Sequence, residues 1–308
     1  MNDRREQADA RLAVYDAAAD DAAARVIGRY STSFGLATRL LHRDIRPLVA
    51  NIYALVRVAD EIVDGAATEA GLSIEDAGAR LNEYEVETER AMATGFSTDL
   101  VIHAFARVAR HAGFGAELTA PFFESMRMDL VHAEYNREGF DRYVYGSAEV
   151  VGLMCLRVFV AGESDPARSY DDLAPGARAL GAAFQKVNFL RDLAGDLRVL
   201  GRSYFPDLDP ATFTDAQKHA ILDDIDADLA LSAVSVPRLP TNARRAVALA
   251  QALYTELSVR LRSVPAAELL VTRVSVPSSV KARLAAGAML GSTPGAPRPA
   301  RTGSAVAR

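Results

Sequence analysis

Two short stretches carry residue types that can do chemistry together. Asp60-Glu61-Ile62-Val63-Asp64 and, far downstream, Asn188-Phe189-Leu190-Arg191-Asp192-Leu193-Ala194-Gly195-Asp196 each place carboxylates four residues apart. On a helix that spacing stacks the two acids on one face, about a turn apart. The polar residues around them are ordered. Tyr53, Arg57, Asp60 and Asp64 form one stripe against Ile52, Leu55, Val56, Val58, Ile62 and Val63. Gln185, Asn188, Asp192 and Asp196 form a second, flanked by Lys186 and Arg191 on a background of Ala182, Val187, Phe189 and Leu190. Charges in apolar surroundings are costly unless something pairs with them. Carboxylate and amide oxygens are the hard ligands that Mg2+ takes, with water and phosphate completing its shell. One stripe alone fits an ordinary helix end, with Arg57 paired to Asp60 or Asp64. Two stripes in one chain point to jaws that face each other across a bundle, hold Mg2+ between them and grip a diphosphate.

The elements that must position these jaws read as helices throughout. Ala- and Leu-rich segments of 3.6-residue periodicity dominate, and strand-type alternation is nearly absent. The pattern predicts helices over 10–29, 31–40, 45–64, 74–94, 98–112, 116–133, 139–161, 172–195, 215–231, 241–262 and 278–289. Breaks fall at Gly65, Gly95, Gly113, Gly115 and Gly139, and at Asp165-Pro166, Gly201 and Asp209-Pro210. The fold class is therefore all-α. Residues 1–9 read as a flexible N-terminus and 10–290 as a single helical domain. Residues 291–308, rich in Pro, Gly, Ser and Thr, read as a disordered tail.

Composition narrows the function. Of the 308 residues 50% are hydrophobic, enough for a large core, and the net charge of −5 gives no support to nucleic-acid binding. The single cysteine, Cys155, has no internal disulfide partner, which suits a reducing cytoplasm. The polar start reads as no signal peptide, and no uncharged apolar run reaches the roughly 18 residues of a membrane span. The histidines His42, His103, His111, His132 and His219 lack zinc spacing. Asp223, Asp224, Asp226 and Asp228 spread around their helix, beside a separate apolar face of Ile221, Leu222, Ile225 and Leu229, and read as a solvated surface. Among smaller polar islands, Ser31 and Ser33 sit beside Phe34, where a capping role is the plain explanation. The loop Gly201-Arg202-Ser203-Tyr204-Phe205-Pro206 can return Arg202 and Tyr204 toward the second jaw. Tyr254, Arg273 and Lys281 are further candidates.

In this order the motifs resemble the squalene/phytoene synthases, which join two prenyl diphosphates head to head. Tyr30-Ser-Thr-Ser-Phe34 resembles that family's Ser-x-Ser-Phe entry. Tyr53-Ala-Leu-Val-Arg57-Val-Ala-Asp60-Glu-Ile-Val-Asp64 resembles Tyr-Ala-x-x-Arg-x-x-Asp-Asp-x-x-Asp. Gln185-Lys-Val-Asn188-Phe-Leu-Arg191-Asp192-Leu-Ala-Gly-Asp196 and Gly201-Arg-Ser-Tyr204-Phe-Pro206 resemble two further signatures. The resemblance runs from about Tyr30 to Lys281. Two departures stand out: Glu61 takes the place of an Asp, and Glu149 takes the place of a Gly within Tyr143-Val-Tyr-Gly-Ser-Ala148-Glu149-Val-Val151-Gly152, where it is expected to add bulk near the pocket wall.

The resemblance implies an isoprenoid-synthase helical bundle around a central cavity. It implies Mg2+, with Mn2+ as a substitute, bridging Asp60, Asp64, Asn188, Asp192 and Asp196 to prenyl diphosphates. It implies diphosphate and substrate contacts from Ser31, Ser33, Phe34, Tyr53, Arg57, Gln185, Asn188, Arg191, Tyr204, Tyr254 and Arg273, and a place for Tyr143 near the reacting carbons. The expected reaction joins two geranylgeranyl diphosphates through a cyclopropyl intermediate, prephytoene diphosphate, to phytoene. The alternative joins two farnesyl diphosphates to squalene or dehydrosqualene, and only the squalene route brings in NADPH. A non-catalytic helical assembly factor would erode the acids, yet Asp60, Asp64, Asp192 and Asp196 are all present. A cytoplasmic enzyme that meets a membrane surface to release its product is the expected setting. Oligomeric state is not encoded in these motifs.

Overall fold

Caps and breakers divide the chain into helices, as seen in the computed structural model, which describes residues 2–31, 33–131, 135–195, 204–206 and 208–290. The first helices are α1 (Asn2–Tyr30), α2 (Ser33–Thr38), α3 (Arg46–Val63) and the single turn α4 (Ala66–Glu69). Ser73 caps α5 (Ile74–Thr94) by accepting from the Asp76 N–H, and Asp99 caps α6 (Leu100–Ala112) by accepting from Val101 and Ile102. Gly95 and Gly113 end these helices at φ 87° and 70°, a left-handed conformation that glycine adopts without steric cost. Next come α7 (Ala116–Val131), α8 (Arg137–Val144), α9 (Val150–Val160) and the 30-residue α10 (Pro166–Gly195). A Thr214–Gln217 capping box opens α11 (Asp215–Ser235), which is followed by α12 (Arg244–Ser263), α13 (Ala266–Leu269) and α14 (Ser278–Met289). Among the described residues there is no strand.

Two boundaries differ instructively from expectation. The Asp165-Pro166 break is a helix start: Asp165 accepts from the Arg168 N–H, and Pro166 occupies the first turn, where its missing N–H costs nothing. The segment expected as one α-helix over 139–161 is interrupted by a π turn, Tyr145–Glu149, joining α8 to α9. The joined helix, Arg137–Val160, is long and apolar enough to cross a bilayer, but 56% of its most apolar window is buried inside the bundle.

Two hydrophobic clusters flank the centre. One gathers Leu55, Leu81, Phe105, Phe122, Phe123 and Met154 between α3, α5, α6, α7 and α9. The other gathers Phe140, Phe189, Leu190, Leu222, Ile225 and Leu261 between α8, α10, α11 and α12. The α10 helix lies against both α9 and α11.

The acidic run on α11 is not the solvated surface expected of it. Lys186, 7% exposed, reaches from α10 to Asp224 (2.6 Å) and Asp228 (2.8 Å), while Asp226 accepts from Ser258 and Arg262 of α12. Burial pulls the Lys186 ammonium down, but the hydrogen bonds to the two aspartates outweigh it and hold its pKa above the ordinary lysine value. These pairs tie the helix of the second stripe to its neighbour and fix which face it turns inward. A separate cluster seats α1: buried His103 meets Asp16 at 2.8 Å, and Arg107 bridges Asp16 and Asp20.

Candidate active site

Tyr53, Arg57 and Asp60 of the first stripe and Gln185 and Asn188 of the second line one cavity of about 480 Å3, whereas Asp64 and Asp192 do not. Helix α3 supplies Tyr53, Arg57 and Asp60 to its wall, α10 supplies Gln185, Asn188 and Arg191, and α12 supplies Tyr254. Tyr30 and Ser31, at the end of α1, and Arg273, in the segment before α14, complete the polar end. The rest of the wall is mostly apolar, with Leu41, Val49, Val151, Leu156, Phe159, Leu173, Leu180, Val236 and Leu239 interrupted by the hydroxyls of Thr38, Ser147, Ser232 and Ser235. One end therefore suits an anion and the remainder a hydrocarbon.

The geometry of that wall depends on close helix approach. A Cβ on Gly181 would stand 2.6 Å from the Ala148 carbonyl oxygen, and one on Gly152 would stand 2.7 Å from that of Ala177. Only glycine lets α10 lie this close to the π turn and α9. Glu149 itself turns away from the cavity and accepts from Arg178 Nε at 2.6 Å. The expectation that it crowds the pocket wall is corrected by this pairing: Ser147, Ala148 and Val151 line the cavity, and Glu149 does not.

Electrostatics differ between the jaws. Loss of water raises the Asp60 carboxyl, Arg57 pulls it back, and the charges of Asp64 and Glu61 push it further, to about 7. The side chain is 38% exposed, but it opens onto the cavity, whose walls limit hydration. Arg57 is occupied: its guanidinium pairs with Glu61, lies 3.9 Å from Asp60 and stacks 4.5 Å from the centre of the Tyr30 ring. Glu61 also accepts from the Ala66 N–H at 2.9 Å. On α10, Asp192 accepts from Arg191 and Arg273, while Asn188 accepts from the Tyr254 hydroxyl at 3.4 Å. Phe184 stacks on Tyr254 at 3.8 Å.

The first jaw has an excess of negative charge and the second an arginine-rich rim. A divalent cation fits this donor set, since Asp60 resists ionising without a counter-charge. Among the described residues no three acidic, thiol or imidazole groups converge as a ready-made cage. Mg2+ commonly binds through one or two carboxylates plus substrate phosphates, which suits jaws that stand apart.

The expected residues thus separate. Ser31, Tyr53, Arg57, Asp60, Gln185, Asn188, Arg191, Tyr254 and Arg273 line the cavity together. Ser31 also accepts from the Gly35 N–H at 3.3 Å, so its capping role is present as well. Asp64 ends α3 one turn beyond Asp60, and Asp192 sits beside the arginines of the rim. Tyr143 and Tyr204 do not line the cavity. They stand in an aromatic layer with Phe189, Tyr204 stacking on that ring at 4.0 Å. The Tyr143 hydroxyl donates to Asp129 at 2.7 Å, and burial followed by the charge of Asp129 raises its pKa well above the usual tyrosine value. Asp196, Gly201, Arg202, Ser203 and the side chains of Ser33 and Phe34 lie outside the described residues. Sequence reasoning missed Asp129, which is 2% exposed; α7 carries Glu117 and Glu124 as well, and nothing local marks Asp129 as the buried one.

Comparison with known proteins agrees with this geometry. The sequence model of the squalene/phytoene synthase family matches residues 27–279. A 15-cis-phytoene synthase of Paracoccus sp. is 29% identical over 248 residues, covering 75% of this chain and 78% of its own. The 4,4'-diapophytoene synthase of Staphylococcus haemolyticus is 28% identical over 182 residues, covering 59% and 60%. A dehydrosqualene synthase crystal structure superposes with a TM-score of 0.75 at 21% identity, covering 90% of this chain and 97% of that one. The described helices follow that fold, and the family uses a divalent metal in condensing prenyl diphosphates head to head. The chain is a prenyltransferase and belongs to the squalene/phytoene synthase family.

Proposed function

We propose that this enzyme condenses two geranylgeranyl diphosphates to phytoene, through prephytoene diphosphate, with Mg2+ as its metal. The observation that carries the reading is the cavity that gathers Asp60, Asn188, Arg57, Arg191 and Arg273 at one end and mostly hydrocarbon side chains along the rest. Asp60, Asp64, Asn188, Asp192 and Asp196 would hold the metal, which when bound would neutralise charge on the leaving diphosphate. Arg57, Arg191 and Arg273 donate to phosphate oxygens; their planar, permanently charged forks suit that task. Ser31, Ser33, Tyr53, Gln185 and Tyr254 orient the diphosphate, and Phe34 is a further substrate contact implied by the family resemblance. The apolar wall excludes water, which would otherwise capture the allylic cation. Tyr143 and Tyr204 support the second jaw from behind through Asp129 and Phe189.

The alternative is a C15 enzyme using farnesyl diphosphate. The similarity to a 4,4'-diapophytoene synthase favours keeping it in the same test. Purified enzyme with Mg2+ is incubated with farnesyl or geranylgeranyl diphosphate, with and without NADPH, and the hydrocarbon is identified. Phytoene from the C20 substrate, independent of NADPH, is the expected result. A C30 product in preference to C40 overturns the choice of substrate, and no diphosphate release from either overturns the reading itself.

A further inference from the structure

The cavity is long. Val49 and Asp60 both line it from α3 and are eleven residues apart, about 16 Å at the helical rise. Leu173 and Asn188 line it from α10 and are fifteen residues apart, about 22 Å. A chain anchored by its diphosphate at Asn188 and Asp60 thus extends toward Val49 and Leu173. At that far end Leu41, Leu156, Val236 and Leu239 converge, each buried, from three separate segments.

Five aromatic rings other than histidine line the cavity, and four gather at the polar end. Tyr30 stacks on Arg57, Tyr53 pairs with Ser31, Tyr254 bonds Asn188, and Phe184 stacks on Tyr254. Phe159 is the fifth and lies at the far end, 8% exposed. Its backbone is held there: the Asn242 side-chain amide donates to the Phe159 carbonyl at 3.1 Å, and the Asn242 carbonyl accepts from the His42 N–H at 2.9 Å. Cys155 lines the cavity from the same face of α9, one turn closer to the polar end.

We infer that Phe159 is the stop that sets the longest prenyl chain the cavity accepts, with Cys155 marking the level one turn above it. The inference rests on the proposed function, in that prenyl chains are held with the diphosphate at the polar end and the hydrocarbon running toward Phe159. A rigid ring closing an apolar tunnel discriminates through the atoms that no longer fit, and even one methylene changes kcat/KM by roughly 10- to 200-fold in a hydrophobic pocket.

The test compares kcat/KM for farnesyl, geranylgeranyl and geranylfarnesyl diphosphates, read by diphosphate release and by the mass of the hydrocarbon. Phe159→Ala is expected to raise use of the C25 substrate relative to C20 by about tenfold or more. Cys155→Phe is expected to lower use of C20 relative to C15 by a similar factor. Phe159→Leu, which conserves more volume, reports the same direction if the alanine variant does not fold. Ratios within twofold of wild type in folded Phe159→Leu and Cys155→Phe overturn the inference. Wild-type enzyme that releases no diphosphate from any of the three substrates overturns the proposed function instead, so the two failures are distinguishable.

Discussion

Arg273 donates from Nε to Asp192 Oδ1 at 2.6 Å, across 81 residues of sequence, while Arg191 pairs with the same carboxylate from its own helix. Asp192 therefore already has two cationic partners before any metal arrives. Arg273 is 66% exposed, and an exposed pair of this kind contributes about 0–1 kcal/mol. Replacing it with glutamine should free the carboxylate. Calorimetry should then find Mg2+ alone binding the Arg273→Gln enzyme up to about fivefold more tightly. Pyrophosphate in the presence of Mg2+ should bind more weakly, because the same guanidinium is lost from the diphosphate. Two changes of the same sign would remove Arg273 from this exchange.

The jaws should be unequal to helix formation but essential to turnover. Asp60→Asn and Asp192→Asn should each lower Mg2+-dependent turnover by about a hundredfold or more. The helical circular dichroism of both variants should match wild type. EDTA should abolish activity, and excess Mg2+ should restore it. Near-normal rates in both variants would remove these residues from the metal site.

Without metal, Asp60 should make stability depend on pH in a direction opposite to most carboxylates. Its folded pKa of about 7 lies above the ordinary aspartate value of 3.8, so the folded state binds the proton more tightly than the unfolded chain. Its contribution is most favourable below about pH 4, declines as pH rises, and is lost by about pH 7 to 8. The Tm of Asp60→Asn relative to wild type should therefore climb by a few degrees across that window in metal-free buffer. The partly exposed side chain keeps the effect to this size. A difference that is flat with pH would contradict the origin given for the shift.

Lys186 should be the costliest single truncation on α10. Lys186→Met removes the cation bonded to both Asp224 and Asp228. Breaking one side of a buried pair costs about 3–5 kcal/mol, lower here because Asp224 is 44% exposed. Adding Asp224→Asn and Asp228→Leu should recover part of the loss in chemical denaturation. Recovery follows only if stranded charge, and not the lost packing of the lysine stem, causes the damage.

Glu149 should leave product identity alone. Its carboxylate belongs to Arg178, outside the cavity wall. Glu149→Gln should cost no more than about 1 kcal/mol and yield the wild-type hydrocarbon, as gas chromatography would register. A changed product spectrum would return this position to the pocket.

The sequence was most legible where one helix carries its own information. Expected limits of 45–64 for the first jaw stand within a residue of Arg46–Val63, because its apolar and polar faces alternate at the helical period without interruption. What depended on partners distant in sequence was not legible. Asp224 and Asp228 looked solvated because Lys186 stands 38 and 42 residues away. Asp129 gained meaning only once Tyr143 reached it from α8. The π turn has no strong local signature, since it answers to the crowding of Gly146 against Pro121 and Ser125 and of Gly181 against Ala148. Of the site, the stripes could be read from spacing; the far apolar end could not, because three segments distant in sequence meet there.

The π turn lets one rod keep two phases. Upstream of Tyr145 the helix aims Tyr143 at Asp129; downstream it aims Val151, Cys155 and Phe159 at the cavity. One residue of ordinary α-helix corresponds to about 100° of rotation. Excising a single residue from the turn would swing one half of the rod out of phase with its neighbours: either the tyrosine would leave its acid, or the tunnel would lose its lining. The extra residue thus works as an angular vernier between the support of the second jaw and the bore that holds the hydrocarbon.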